Sequence, residues 1–436
     1  MFRTLACNLS ASLLFAAGLA ACSTPATGGA AAAAPDAFTL SDIAYHFDVA
    51  KTPPGEDAKT AQDPDVLTAS SLDADSPEDA ATAVPDGLDS AACAAGSVLG
   101  VVCAPTAGAN VAFADVTLDV TPDCGGAAFH AATKADAKGG YTFTNVPPGS
   151  AQIGFAKGSF KGSTPVTIQA GKQLNLTTQD AKRCLKSTSV KIAVVLGDAD
   201  HIEKLLDDLG FAYDSFESGT STTVDTSAAQ KLLMDPVKLG SYDVLFANCG
   251  TTLEKLVTDN PGVVANIQAF VNAGHSLYAS DWAWDLVEWS FPDAIQFWGV
   301  EKSFVKGTKG PSTTDGPRQG PGPTMTQKKA GTPAVQFAGS LVDAGLNAAL
   351  GKASTTIYED LGTWVVMKAA GAGTNVEIEA AVKSAQGDWG TVPLVVTFTA
   401  GKGHVVYTSF HNIAQADAGG SVADIKAILT YLVFSL

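Results

Sequence analysis

The segment Gly274-His-Ser-Leu-Tyr-Ala-Ser-Asp-Trp-Ala283 is the clearest architectural signal in the chain. Ser276–Ala279 is a short run that suits a strand covered on both faces, and Asp281–Glu288 follows it at once as a helix. Upstream, Pro261–Ala273 reads as a helix with proline at its start and Gly274 at its end. Before that helix, Tyr242–Ala247 is an apolar strand that ends in Asn248-Cys249-Gly250. Further upstream, Val190–Leu196 reads as a strand, apolar but for Lys191. Ala199–Leu209 follows as a helix, with Ile202, Leu205, Leu206 and Leu209 on one stripe, stopped by Gly210; Phe211–Phe216 is the next strand. Downstream, Glu377–Lys383, Leu394–Thr399 and His404–Ser409 read as strands and Val422–Phe434 as a closing helix. Repeated β-α-β units of this length predict an α/β domain over 188–436, a doubly wound parallel sheet. The Gly/Pro-rich segment Gly307–Pro323 predicts a mobile loop within it.

The first strand, the "YDVLFANCG" strand and the "GHSLYASDWA" turn stand in an order that resembles the class I glutamine amidotransferase-like superfamily, a flavodoxin-like fold. The resemblance covers roughly 190–436, with insertions near 303–332. It implies a nucleophilic cysteine at the sharp turn after the fourth of these strands. Here that turn is Ala279-Ser280-Asp281-Trp282-Ala283, so Asp281 holds the elbow. A carboxylate does not replace a thiolate in acyl transfer without a different mechanism. The resemblance therefore implies the fold with a non-catalytic site.

Three constellations near the strand ends could carry chemistry. Cys249 sits where α/β proteins bind ligands, and with His411 it would form a nucleophile–base pair; otherwise it is a small, partly buried thiol. Asp281, Asp285 and Glu288 share a helix face, interleaved with Trp282, Trp284 and Trp289 and followed by Trp298. Carboxylates beside aromatic platforms grip sugar rings, and two suitably spaced carboxylates run glycoside hydrolysis. The competing expectation is that the tryptophans are core and the acids complement a helix dipole. Last, Tyr407-Thr-Ser-Phe-His411-Asn412 ends a strand, where His411 and Asn412 would orient a ligand or cap a loop. Six histidines without paired spacing predict no metal centre, and no phosphate loop is present, so no cofactor is expected.

Residues 93–185 have a different texture. Ser97–Cys103, Asn110–Asp119, Ala127–Ala135, Gly140–Val146, Ala151–Lys157 and Pro165–Ala170 are short alternating runs separated by turn residues, which predict an antiparallel β-sandwich. The pattern from Gly100-Val-Val-Cys-Ala-Pro through Gly108-Ala-Asn-Val-Ala-Phe to Gly139-Gly-Tyr-Thr-Phe-Thr-Asn-Val-Pro-Pro-Gly149 resembles the carboxypeptidase regulatory-like domain. That family has a transthyretin-like fold grouped with carbohydrate-binding-like folds, so the resemblance implies architecture; no His-x-x-Glu zinc pair accompanies it. Cys93, Cys103, Cys124 and Cys184 form an even set that predicts two disulfides in an oxidising compartment, against buried free thiols. Of three connectivities, Cys103–Cys124 with Cys93–Cys184 is the one favoured.

At the N-terminus, Arg3 precedes the apolar stretch Leu9–Ala21, too short to span a bilayer comfortably, which predicts a secretory signal peptide over 1–21. Leu19-Ala20-Ala21-Cys22 resembles the bacterial lipoprotein lipobox, which implies cleavage before Cys22 and lipidation of its thiol. Ser23 rather than aspartate after it implies, by the same resemblance, sorting to the outer membrane. Residues 22–92 then read as an acidic disordered tether. The stretch 23–92 holds 13 acidic residues against Lys51 and Lys59, so it carries −11 of the chain's net −17. That acidity argues against nucleic acid as a partner, because phosphate binding needs a basic face. The expectation is a lipid-anchored cell-envelope protein acting as a binding or scaffold module, with a glycan or cell-wall polymer as candidate ligand. The alternative is a hydrolase using Cys249 and His411 or the carboxylates of the Asp281 helix.

Overall fold

The computed structural model describes residues 92–220, 222–250, 252–297, 335–359, 364–384, 387–412 and 422–436. The segment read as a signal peptide, Cys22, the expected tether up to residue 91, Trp298 and the expected loop Gly307–Pro323 lie outside the described residues.

The first described part holds seven strands: β1 (Gly96–Val101), β2 (Asp115–Pro122), β3 (Phe129–Lys134), β4 (Gly140–Val146), β5 (Gly149–Lys157), β6 (Phe160–Ile168) and β7 (Gln173–Leu176). They form two sheets, ordered β4-β1-β7 and β3-β2-β5-β6. Period-two alternation turns Val116, Leu118 and Val120 of β2 and Ala151, Ile153 and Phe155 of β5 inward, where they share one core with Val98 and Phe143 of the other sheet. The pairings are antiparallel except β1 with β7, a strand too short and polar to stand out in the sequence. At the Asp136–Gly140 turn, Gly139 has φ +78°, and Asp136 Oδ1 accepts from the backbone N–H groups of Lys138 and Gly140.

The disulfides correct the expected pairing: they are Cys93–Cys124 and Cys103–Cys184. The reason is local. The Leu185 N–H donates to the Cys103 carbonyl at 2.9 Å, which lays Cys184 beside the end of β1 with a Cα separation of 4.7 Å. Cys124, past the end of β2, meets the backbone at Ala92–Cys93 instead.

The second part continues with β8 (Ile192–Leu196), α1 (Ile202–Leu209), β9 (Tyr213–Glu217), α2 (Ala228–Leu233), α3 (Pro236–Leu239), β10 (Val244–Ala247), α4 (Leu253–Asp259), α5 (Gly262–Ala273), β11 (Ser276–Ser280) and α6 (Trp284–Glu288). Then come β12 (Ile295–Phe297), β13 (Val335–Leu341), α7 (Ala344–Leu350), β14 (Ser354–Glu359), β15 (Met367–Ala370), β16 (Thr374–Ser384), β17 (Gly387–Ala400), β18 (Gly403–Thr408) and α8 (Val422–Val433). One nine-stranded sheet runs β14-β13-β16-β17-β18-β11-β10-β8-β9. From β18 to β9 every pairing is parallel, and β10 and β11 are buried throughout. Gly210 and Gly274 end α1 and α5 in the left-handed region.

The expected wholly parallel sheet is corrected here: it is mixed, with β14, β13, β16 and β17 joined antiparallel to one another and β17 antiparallel to β18. Ala400 and Gly403 are separated by two residues, with Gly401 at φ +58°, which closes a hairpin; a parallel crossover needs about a dozen residues. The two parts pack as a single unit. The Phe160 ring of β6 lies 4.7 Å from that of Phe211 and 5.2 Å from that of Phe434, centroid to centroid.

On β16, Glu377 is buried; its carboxylate accepts from the Thr397 hydroxyl at 2.7 Å. Burial pushes its carboxyl up to about 7 against the Thr397 bond, and the nearby Asp343 carboxylate adds a smaller push the same way. The folded state thus favours the neutral acid. The associated stability is present at low pH and lost as pH rises through about 7. Glu377→Gln is expected to remove that loss, on the order of 2 kcal/mol, so the variant gains on the wild type between pH 5 and pH 8 in thermal melts. Parallel melting curves at the two pH values would refute the assignment.

Candidate functional site

The carboxyl ends of β8, β10, β11 and β18 converge, the place where parallel sheets present ligand-binding groups. Asp281 follows β11 directly and holds φ +37°, a left-handed conformation uncommon for a residue with a side chain. This is the tight strand-to-helix turn anticipated at the elbow. The Tyr407 hydroxyl donates to the Asp281 carbonyl at 2.8 Å, and the Val365 N–H donates to Asp281 Oδ1 at 2.6 Å. Those bonds leave Oδ2 turned toward two other side chains. It lies 3.2 Å from His411 Nε2 and accepts from Cys249 Sγ at 3.4 Å. All three residues are buried to 1% exposure or less.

A second set of bonds ties the strand ends together. The Cys249 N–H donates to Ser280 Oγ at 3.0 Å, and Ser280 Oγ donates to Asp200 Oδ2 at 2.8 Å. Asp200 Oδ1 accepts from the backbone N–H groups of His201 and Asn412. Asn412 Nδ2 returns a bond to the His201 carbonyl at 2.7 Å. Asn248 Oδ1 accepts from the Ile202 N–H at the start of α1, and Asn248 Nδ2 donates to Glu203, which faces His201. At Gly197 the chains press so closely that a Cβ would stand 2.0 Å from the Cys249 carbonyl oxygen. Asp200, Ser280 and Asn248 were missed by sequence reasoning. Each is an ordinary polar residue whose role appears only once four distant strand ends meet.

Charge behaves accordingly. Burial pushes the Asp200 carboxyl up, with His411 and the Ser280 bond opposing it. Burial also pushes the Cys249 thiol well above its usual range, and the Asp281 carboxylate adds to this; His411 acts in the opposite sense. Cys249 is therefore held as a neutral thiol rather than as the thiolate that nucleophilic chemistry requires.

The structure thus brings Asp281, His411 and Cys249 together, and joins Asn412 to them through Asp200. Trp282 stays half-buried beside the elbow, whereas Trp284 and Asp285 are enclosed and Glu288 nearly so. The carboxylate face of Asp281, Asp285 and Glu288 is a buried face and not an open sugar platform. The thiol, carboxylate and imidazole donor atoms of Cys249, Asp281 and His411 all lie within 4.8 Å of one another, a grouping the scattered histidines of the sequence did not suggest. Positions so far apart in the chain leave no spacing motif to read.

No family model matches the chain, and no curated protein matches it. Among solved structures, it is similar to a ThuA-like protein from Bacteroides uniformis at 9% identity and a TM-score of 0.35, over 56% of this chain and 91% of that one. It is similar to a cytoplasmic protein from Salmonella typhimurium LT2 at 12% identity and a TM-score of 0.32, over 56% of this chain and 96% of that one. A β-galactosidase from Bacillus circulans gives 13% identity and a TM-score of 0.31, over 56% of this chain but 30% of the enzyme. Likeness at this level carries no argument about chemistry, and the site is read from its own geometry.

Proposed function

We propose that this protein is a lipid-anchored cell-envelope lipoprotein acting as a binding or scaffold module, with Cys22 as the lipidated residue. In this reading the two-sheet part is a carboxypeptidase regulatory-like sandwich, and the α/β part is an amidotransferase-like domain without its elbow thiol. The observation that supports it most is the state of the elbow: Asp281 is buried, and its carboxylate is occupied by the Val365 N–H, His411 and Cys249. Burial holds the enclosed thiol toward its neutral form, which disfavours nucleophilic acyl chemistry. The two paired disulfides agree with an oxidising compartment. Among the described residues no helix is long and apolar enough to cross a membrane, so in this reading attachment falls to the lipid.

The hydrolase reading has one observation in its favour, the meeting of Cys249, His411 and Asp281. Against it stands the state of the thiol, which donates to the Asp281 carboxylate and which burial raises above its usual range. The test uses the full chain in detergent, presented with glycans and cell-wall polymers and separately with ester, amide and glycoside substrates. A saturable change in tryptophan fluorescence, lost in Trp282→Ala, with no turnover is the expected result. Turnover that disappears in Cys249→Ser would replace the binding reading with the hydrolase.

A further inference from the structure

We propose that Cys249, Asp281 and His411 form a buried binding site for a divalent metal ion of the zinc class. The argument begins with donor chemistry. A thiol sulfur, a carboxylate oxygen and an imidazole nitrogen are the three ligand types that zinc takes from proteins, and the mixture suits a borderline-soft ion better than calcium or magnesium.

Distances make the case specific. With metal–ligand lengths of about 2.3 Å to sulfur and about 2.0–2.2 Å to nitrogen and oxygen, a tetrahedron places sulfur and oxygen roughly 3.6 Å apart and nitrogen and oxygen roughly 3.4 Å apart. The corresponding separations here are 3.4 Å for Cys249 Sγ to Asp281 Oδ2 and 3.2 Å for His411 Nε2 to the same oxygen. Sulfur and nitrogen each stand at ligand spacing from that oxygen, and all three donor atoms lie within 4.8 Å of one another.

Charge points the same way. On binding, the ion displaces the thiol proton, which leaves to solvent, and a sulfur–metal bond forms. One thiolate, one carboxylate and a neutral imidazole then balance the two positive charges. A net-neutral cluster is what a site enclosed on all sides requires. The supports are also in place. Val365 N–H fixes the other carboxylate oxygen, the Tyr407 hydroxyl holds the Asp281 backbone, and the Ser280 hydroxyl anchors the Cys249 N–H. Three protein ligands leave a fourth position for water or an exogenous donor. Because the site is closed, the ion would enter as the chain folds, and its binding energy would become folding energy.

The experiment is metal analysis and cobalt substitution on the full chain. Wild-type protein folded in the presence of Zn2+ is expected to carry about one equivalent per chain after desalting. Protein folded with Co2+ is expected to show a thiolate-to-cobalt charge-transfer band in the near ultraviolet. Cys249→Ser should lose that band, and His411→Gln should lose the stoichiometric ion, in proteins whose circular dichroism and disulfides are unchanged. Folded wild type that takes up neither ion overturns the proposal, with no recourse to a variant. So does stoichiometric zinc that both variants retain, which would place the ion elsewhere.

Discussion

Phe160→Ala is expected to destabilise the whole described fold by about 3–5 kcal/mol, the range for deleting a buried phenylalanine ring. Phe160 is fully buried, and its ring packs against Phe211 and Phe434, which themselves stand 5.9 Å apart, centroid to centroid. The three rings come from the two-sheet part, from the stretch after α1 and from the end of α8, so the lost ring opens a cavity where the two parts meet. Nearby backbone bonds share the load: the Ser159 N–H donates to the Leu436 carbonyl, and the Thr106 N–H to the Leu209 carbonyl. The probe for coupling is built into the composition, because all six tryptophans lie at position 282 or beyond. Tryptophan fluorescence therefore reports on the α/β part alone, while circular dichroism reports on both. A shared core requires the substitution on β6 to lower both transitions together. An unmoved fluorescence transition would mean that the two parts are separate folding units.

The second large effect concerns Cys103–Cys184. Replacing both by serine is expected to cost about 4–5 kcal/mol, since the bond closes a loop of 81 residues in sequence separation and both partners are buried. Cys93–Cys124 spans 31 residues with both partners half-buried, so its double substitution is expected to cost less, about 3–4 kcal/mol. Chemical denaturation of the two double variants ranks them. A non-reducing peptide map supplies the prior check, because a Cys103–Cys124 peptide would restore the other connectivity and remove the basis for the ranking.

What could be read in advance divides along physical lines. β4 was legible to the residue and α5 to within one, because alternation, apolar runs and terminal glycines are local signals. The sharp turn at Asp281 was expected from the resemblance carried by the Gly274–Ala283 segment, and the positive φ there agrees with it. Strand direction beyond β18 was not, because it depends on the length of a turn and on which edge the hairpin joins. Nor was the disulfide pairing, which follows from where the Leu185 N–H lands. At the site, Cys249 with His411 could be singled out as a candidate pair and Asp281 as a separate candidate, by their positions at strand ends. Their mutual contact could not, and Asp200, Ser280 and Asn248 carried no signal of their own.

The order of the large sheet has a bearing on how the protein is made. β18 stands at its middle, between β11 on the parallel side and β17 on the antiparallel side, yet it is the last strand among the described residues. A chain that reaches its folding compartment amino end first therefore delivers both wings before the piece that joins them. Until Gly403–Thr408 emerges, the nascent chain holds two inner strand edges that nothing yet covers, one of them flanked by the wholly buried β11. The keystone comes late, and the half-built molecule, rather than the finished one, is the form most in need of protection from its neighbours.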